Sequence, residues 1–264
     1  MAFVAFNSFQ RMAATKPLKT YAAQVFIPPP ILQYKFDTGD QVGLNLYNWA
    51  TGQYDASLTA TGLISTSGPT PSTGTGCLNL SAGTNYVTIN TTMLATPLAS
   101  SGFSTNGWYP LTTQGYSFTF WAYTTAGWTG SGFTWISGAN DWYIAVKPGD
   151  RVSFGQSNYN GYPATTPADG SWAFYALVFP INSVTLNNKP ILWQNGVSYS
   201  ITPQIGVTGS LTPSGYYGNK FYIGYSGGAS YIGSGIFKGY MDDFRMYNIA
   251  LTDQQVSNIR NKIT

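Results

Sequence analysis

The chain of 264 residues is 43% apolar, 16% aromatic and only 8% charged, so it is too apolar to be disordered and long enough for one large β domain. It has no histidine and no glutamate, and Cys77 is its only cysteine, which excludes histidine-dependent catalysis and an intrachain disulfide and leaves zinc without ligands. The net charge of +3 comes from residues 1–32, because the rest of the chain carries nine basic and nine acidic side chains.

Residues 1–30 are predicted to form an extended N-terminal arm. They combine aromatic and basic side chains with no acidic ones, and Pro28, Pro29 and Pro30 end the segment as a stiff spacer. A solvated tail does not normally carry so many aromatic residues, so we expect the arm to dock on coat or assembly subunits; a disordered or tag-like tail is the alternative. The candidate docking residues are Phe3, Phe6, Phe9, Arg11, Lys16 and Lys19.

Two classes of partner are not expected. The three basic side chains of the arm make a poor nucleic-acid patch. No stretch approaches the roughly 18–20 apolar residues that span a bilayer, so a membrane span is not expected. The chain also lacks a charged leader followed by an apolar run and a small-residue cleavage site, so no secretory signal is expected.

From residue 31 onward, strand-like runs alternate with turn clusters, which is typical of an all-β sandwich. Residues 116–123 alternate between two faces, and residues 172–179 are nearly all apolar, which predicts a central strand buried on both faces. About a dozen strands require two stacked sheets or a barrel. Three hairpins are predicted, around Ala82-Gly83, around Pro148-Gly149-Asp150 and around Asn195-Gly196.

The C-terminal residues predict one short helix. Thr252 is an N-cap residue, and Gln255 completes a capping box. Leu251 and Val256 occupy the positions of a hydrophobic staple. Asp253 in the first turn, and Arg260 and Lys262 in the last, suit the helix dipole. The apolar stripe consists of Val256, Ile259 and Ile263.

Several segments carry a family resemblance in a fixed order. They include the Trp-bearing strand 116–123, the Trp-led strand 170–178, the hairpin 193–197 and, as the strongest match, residues 239–251. Together, residues 31–264 resemble the laminin-G-like branch of the concanavalin A-like lectin/glucanase superfamily. The resemblance implies a two-sheet antiparallel β-sandwich, a concanavalin A-like jelly roll, with the short C-terminal helix and the extended arm added. It does not fix a function, because the fold hosts lectins, adhesive modules, glucanases and coat components.

Enzymatic activity is not expected. Glycoside hydrolases of the superfamily resemble one another in a strand with paired glutamates, whereas this chain has none. Its only adjacent acidic pair is Asp242-Asp243, and neighbours on a strand point to opposite faces. We expect one of them to pair with Arg245 or a backbone amide and the other to be solvated. Cys77 has no base to activate it, so an inert buried thiol is expected.

The resemblance also implies calcium at the rim of the sandwich, bound by aspartates and backbone carbonyls. No contiguous loop has calcium-ligand spacing, so aspartates that cap turns are the alternative, and no other cofactor is expected. The candidate calcium ligands are Asp37, Asp40, Asp141 and Asp169.

Glycan binding is a further prediction, because sugars are held by aromatic faces beside amide or carboxylate groups. Two loops rich in tyrosine, glycine and asparagine fit this description, although such loops are also ordinary turns or protein contacts. The candidate residues are Tyr159, Asn160, Tyr162, Tyr216, Tyr217, Asn219, Tyr225 and Tyr231.

The sequence therefore predicts a non-enzymatic structural or binding protein. Low charge, abundant threonine, serine, glycine and tyrosine, and an apolar-basic arm favour a capsid or virion-surface component. A carbohydrate-binding lectin or adhesin, extracellular or at the cell surface by a non-classical route, is the alternative. A glycoside hydrolase is a remote alternative.

Overall fold

A computed structural model describes residues 25–67, 69–90, 115–125, 143–147, 151–156, 159–164, 170–179, 191–200, 220–225 and 237–262. These residues form strands and one helix, α1, at Asp253–Arg260. The strands are β1 Leu32–Tyr34, β2 Gln41–Val42, β3 Asn45–Asn48, β4 Gln53–Leu58, β5 Ile64–Ser65, β6 Cys77–Asn79, β7 Val87–Asn90, β8 Tyr116–Thr124, β9 Tyr143–Lys147, β10 Arg151–Gln156, β11 Tyr159–Ala164, β12 Trp172–Phe179, β13 Ile191–Gln194, β14 Val197–Ser200, β15 Lys220–Ile223 and β16 Gly239–Tyr247.

The strands form two large antiparallel sheets and one small one. The first has eight strands in the order β14-β13-β12-β8-β16-β6-β5, with β1 also paired to β16. The second has five, in the order β15-β7-β4-β3-β2, and the third is the meander β11-β10-β9. One apolar core contains inward side chains of both large sheets, among them Phe120 and Tyr175 from the first and Leu46 and Ile89 from the second. The predicted two-sheet antiparallel sandwich is confirmed.

A third layer covers the outer face of the eight-stranded sheet. Val256 and Ile259 of α1 pack with Phe174 and Trp193 of that sheet, and Ile27 packs against the same cluster. Because α1 lies on one side of β12 and the main core on the other, this strand is buried on both faces, as its apolar sequence predicts. In the described residues, no helix has the length and apolar character needed to cross a bilayer.

Two of the predicted hairpins are confirmed and one is wrong. β13 pairs with β14 around Asn195 and Gly196, both at positive φ, and β9 pairs with β10. The strands on either side of Gly83 do not pair, because β6 joins β5 and β16 while β7 joins β4 and β15. The turn at Gly83 therefore carries the chain from one sheet to the other, which lets both strands bury apolar side chains in the shared core.

The predicted start of α1 is confirmed in atomic detail. The Thr252 hydroxyl accepts from the Gln255 amide (3.3 Å), and Gln255 Oε1 accepts from the Thr252 amide (2.9 Å), which completes the capping box. Leu251 and Val256 are both buried in the cluster under the helix. The helix ends at Arg260, so Lys262 lies beyond it with φ +58° and its ammonium contacts the Ser72 carbonyl. Ile263 lies outside the described residues.

Replacing the cap residue tests how much this interaction stabilises the fold. We expect Thr252→Ala to lower the free energy of unfolding by about 1 kcal/mol, because an orphan amide of the first turn loses its acceptor. Chemical denaturation measures the change. Thr252→Ser keeps the hydroxyl and serves as the control, with stability near that of the wild type. Equal stability of the alanine and serine variants would show that the cap contributes nothing.

Only the end of the predicted arm belongs to the described residues. Residues 25–30 lie against α1, where Gln255 Nε2 donates to the Phe26 carbonyl (2.8 Å). Phe3, Phe6, Phe9, Arg11, Lys16 and Lys19 lie outside the described residues, so docking by the arm stays a prediction.

Candidate functional site

The five-stranded sheet has a buried inner face and a solvent-facing outer face. Its inward residues are Leu46, Ala56, Leu58, Val87, Ile89 and Ile223. The alternate positions pair in register across all five strands, which gives a cross-sheet row about 19 Å long at the usual strand spacing. This cross-sheet row consists of Val42, Asn45, Ser57, Thr88 and Tyr222, of which the first three are exposed and the last two half-buried.

A tyrosine cluster lies at one corner of this outer face. Tyr86 and Tyr225 stack with ring centroids 4.6 Å apart and 19° between their planes, and Tyr222 meets both rings edge-on at 5.7 and 5.4 Å. Thr59 fixes Tyr86, since its Oγ1 accepts from the Tyr86 amide (3.0 Å) and its own amide donates to the Tyr86 carbonyl (3.2 Å). All three tyrosine residues are half-buried, so each keeps part of its surface exposed to solvent. Burial raises the pKa of Tyr222, so its hydroxyl stays protonated at neutral pH.

A tryptophan cluster of Lys35, Tyr47, Trp49 and Tyr54 lies at the opposite end of strands β3 and β4. Trp49 and Tyr54 are each 45% exposed. Tyr47 meets the rings of Trp49 (5.5 Å, 87°) and Tyr54 (5.2 Å, 63°) edge-on. Lys35 Nζ lies 3.6 Å from the centroid of the Trp49 ring, a cation–π contact. Aromatic surface is thus exposed at both ends of the outer face.

Hydrogen bonds hold Trp49 in a fixed orientation. Its backbone amide donates to the Gln33 carbonyl (2.8 Å), and its indole Nε1 donates to both carboxylate oxygens of Asp40 (3.1 Å each). Asp40 is buried and also accepts from the Asp37 amide (2.9 Å). Burial raises the pKa of Asp40, while the bond from the indole opposes that shift. The ring is therefore positioned before any ligand arrives.

A buried polar network lies beneath the turn that presents Trp49 and Tyr54. Asp55, which is 2% exposed, accepts from the Tyr34 hydroxyl (2.5 Å), Asn48 Nδ2 (2.7 Å) and the Thr51 hydroxyl (3.0 Å). Asn48 Oδ1 in turn accepts from the amides of residues 33 and 50 (3.0 Å each). Burial raises the pKa of Tyr34 well above its usual range, and the adjacent Asp55 raises it further. The network fixes the β3–β4 turn from inside.

Comparison with protein families identifies the fold. The model of the Laminin_G_3 family, of the concanavalin A-like lectin/glucanases superfamily, matches residues 81–257. The chain belongs to this superfamily. A comparison with curated protein sequences gave no match.

Solved structures of other proteins share the fold. Domain 4 of AbnA, a GH43 extracellular arabinanase from Geobacillus stearothermophilus, in complex with arabinotriose, is 17% identical with a TM-score of 0.56, and the match covers 88% of this chain and 98% of that one. The receptor-binding domain of the botulinum neurotoxin C/D mosaic serotype is 13% identical (TM-score 0.57; 89% and 51% covered). The serotype D ligand-binding domain in complex with N-acetylneuraminic acid is 12% identical (TM-score 0.52; 89% and 51% covered). This superfamily member thus spans about half the length of the toxin domains.

In this superfamily member, the predicted glycan-binding residues do not lie together at one site. Tyr225 belongs to the tyrosine cluster. Tyr159, Asn160 and Tyr162 lie on strand β11, not in a loop as predicted, because residues 159–164 pair with β10. The remaining candidates lie outside the described residues, and they are Tyr216, Tyr217, Asn219 and Tyr231.

The sequence prediction missed Tyr86 and Tyr222 of the tyrosine cluster and Trp49 and Tyr54 at the other end. A local signal existed for Tyr222, which alternates with the apolar Phe221 and Ile223 in a strand-like run. Its contact with Tyr86 had no such signal, since it depends on pairing between β15 and β7.

Two of the four predicted calcium ligands are described. Asp37 Oδ1 accepts from the amide (2.6 Å) and hydroxyl (3.2 Å) of Thr75, and Asp40 accepts from Trp49 and from the Asp37 amide. These contacts are those of aspartates that cap turns. Asp141 and Asp169 lie outside the described residues. The described part of the chain has no group of three acidic, histidine or cysteine side chains that could hold a metal ion. Calcium binding stays a prediction.

The acidic pair of β16 occupies two separate buried environments. Asp242 Oδ2 accepts from the Ser72 hydroxyl (2.8 Å) and the Thr73 amide (2.7 Å), and burial raises the pKa of Asp242 to about 7 against the effect of these bonds. Asp243 lies at a bulge with φ +45° and forms a two-point ion pair with Arg245 (2.8 and 2.6 Å). The pairing with Arg245 was expected, but the prediction that the other aspartate is solvated is wrong, because Asp242 is 0% exposed.

Cys77 is also buried, as expected. Its thiol donates to the Ser65 carbonyl (3.7 Å), and burial raises the pKa of Cys77 to about 11. A thiol with this pKa is protonated at neutral pH and is a poor nucleophile.

Proposed function

We propose that this protein is a non-enzymatic carbohydrate-binding module whose primary contact is the tyrosine cluster. The stacked pair Tyr86–Tyr225, with Tyr222 edge-on beside it, carries this proposal. Partly exposed rings held in fixed mutual orientation suit the C–H faces of a sugar, and the adjoining hydroxyl and amide side chains of the cross-sheet row suit its hydroxyl groups.

The structural comparisons support the same class of function. One similar domain is bound to arabinotriose, and one similar toxin domain is bound to N-acetylneuraminic acid. At these identities the likeness establishes the fold, so the ligand of this chain is inferred from its own surface. The comparisons favour the lectin or adhesin alternative over the coat component. No contact among the described residues supports a role in a coat.

The absence of hydrolysis is part of the proposal. Hydrolysis with retention needs two carboxyl groups about 5–5.5 Å apart on either side of the bond to be cleaved. Asp242 has the raised pKa of a general acid, but it is sealed from solvent beneath Ser72 and Thr73. Asp243 is held by Arg245, which leaves neither carboxyl group free to reach a sugar.

A binding experiment with cluster variants tests the proposal. The wild-type chain is screened on a broad glycan array, with arabinotriose and N-acetylneuraminic acid included, and each ligand found is titrated by calorimetry. We expect Tyr86→Ala and Tyr222→Ala each to weaken binding about tenfold, since each removes one aromatic contact. Release of reducing sugar is measured in the same samples and is expected to be absent.

The matched control is Tyr240→Ala, which removes a half-buried tyrosine from the eight-stranded sheet. Its affinity should equal that of the wild type, and thermal unfolding should show that all three variants are folded. Failure of the wild type to bind any glycan on the array would overturn the proposal. Equal losses in all three variants would place the site elsewhere.

A further inference from the structure

Given the proposed function, on which this inference rests, we propose that the ligand is an extended, uncharged oligosaccharide chain. It lies across the outer face of the five-stranded sheet from the tyrosine cluster to the tryptophan cluster. Three features of this face fit such a ligand: aromatic surface at two separated ends, a polar row between them and the absence of charge in that row.

The two clusters are far enough apart to require a ligand of several sugar units. Tyr86 lies beside Thr59, just beyond one end of β4, whereas Tyr54 lies near the start of that strand. At about 3.3 Å per residue, the two levels are about 15 Å apart along β4. Tyr222 on β15 and Tyr47 on β3 are also separated by three strand spacings, about 14 Å. A single sugar cannot contact both clusters.

The surface between the clusters is suited to a chain that passes over it. Asn45, Ser57 and Thr88 follow one another in register and present one amide and two hydroxyl groups. Within the described part of the chain, none of these three side chains is engaged in a hydrogen bond. These short side chains leave the surface shallow. Their hydrogen-bond donors and acceptors remain available to sugar hydroxyl groups.

The charge distribution favours a neutral chain. The cross-sheet row contains no ionisable group other than the Tyr222 phenol, whose pKa is raised. At the far end, the Lys35 ammonium lies over the Trp49 ring, and the nearby Asp40 carboxylate is bound to the indole. The Lys35 side chain therefore covers one face of Trp49, so contact is expected at the exposed remainder of that ring and at Tyr54.

Chain length and cluster variants together test this inference. The probes are the trimer and the octamer of linear arabino-, xylo- and β-gluco-oligosaccharides, with an oligogalacturonide octamer as the charged counterpart. In calorimetry, we expect the preferred octamer to bind at least tenfold more tightly than its trimer. Tyr54→Ala and Trp49→Ala should remove most of that gain while leaving trimer affinity unchanged, and Tyr222→Ala should weaken both lengths.

Two variants are used at the tryptophan cluster because Trp49→Ala also removes the indole N–H that donates to the buried Asp40 carboxylate. The Tyr54 side chain makes only ring contacts in the described structure, so Tyr54→Ala lacks this side effect. Tyr240→Ala is again the control.

Equal affinity for trimer and octamer, or full octamer affinity in Tyr54→Ala, overturns the extended-chain inference but leaves the proposed function. Tighter binding of the oligogalacturonide octamer than of the neutral octamers overturns the inference that the ligand is uncharged. If no probe binds but the array gives a monosaccharide ligand, only this inference fails; an array without any ligand removes both.

Discussion

Asp55→Ala should lower the free energy of unfolding by about 3–5 kcal/mol, among the largest losses for a single polar side chain in this fold. The carboxylate is buried and accepts from Tyr34, Asn48 and Thr51. Alanine leaves the Tyr34 hydroxyl and the Asn48 amide without an acceptor in an interior where water does not replace it. Denaturation in urea, followed by tryptophan fluorescence, measures the loss.

Two further variants separate the hydrogen bonds from the loss of volume. Tyr34→Phe removes one donor and should lower stability by about 1–2 kcal/mol. The double variant Tyr34→Phe/Asp55→Ala should be less destabilised than the sum of the single changes, since residues in one network are not additive. A loss below about 1 kcal/mol for Asp55→Ala would show that the network contributes little.

Acidification should stabilise the wild-type fold through Asp242, by about 4 kcal/mol between pH 8 and pH 4. Burial raises the pKa of Asp242 in the folded chain to about 7, from an ordinary value of 3.8. Between these two values the folded state binds a proton that the unfolded state does not hold. The stabilisation is therefore complete below about pH 4 and is lost as the pH rises through about 7.

Asp242→Asn isolates this effect from the other aspartates. Asparagine keeps an oxygen that accepts from Ser72 and Thr73 but does not titrate. Its unfolding free energy should equal or exceed that of the wild type at pH 8, and the difference should shift in favour of the wild type as the pH falls. A wild-type and a variant curve that run parallel over this range would falsify the assignment.

The elements that the sequence predicts correctly are those with local or periodic signals. The Thr252 capping box, the Asn195-Gly196 turn and the apolar run of β12 each determine their structure within a few residues. The predicted hairpin at Gly83 is wrong because a turn signal shows where a chain bends but not which sheet the next strand joins.

The candidate site was harder to predict because it is assembled by strand pairing. Asn45, Ser57 and Thr88 become neighbours only through the register of β3, β4 and β7. Tyr225 could be found from the composition of its segment, whereas its stacking partner Tyr86 lies about 140 positions earlier in the printed chain. Trp49 gave no signal either, since its orientation depends on Asp40 across a turn.

The third layer over the eight-stranded sheet gives the sandwich a front and a back. Residues 25–30 and α1 both lie on the back, where Gln255 joins them. Residues 25 and 262 therefore both lie on the side opposite the aromatic clusters. An approaching polymer can therefore reach the outer face of the five-stranded sheet without meeting this third layer.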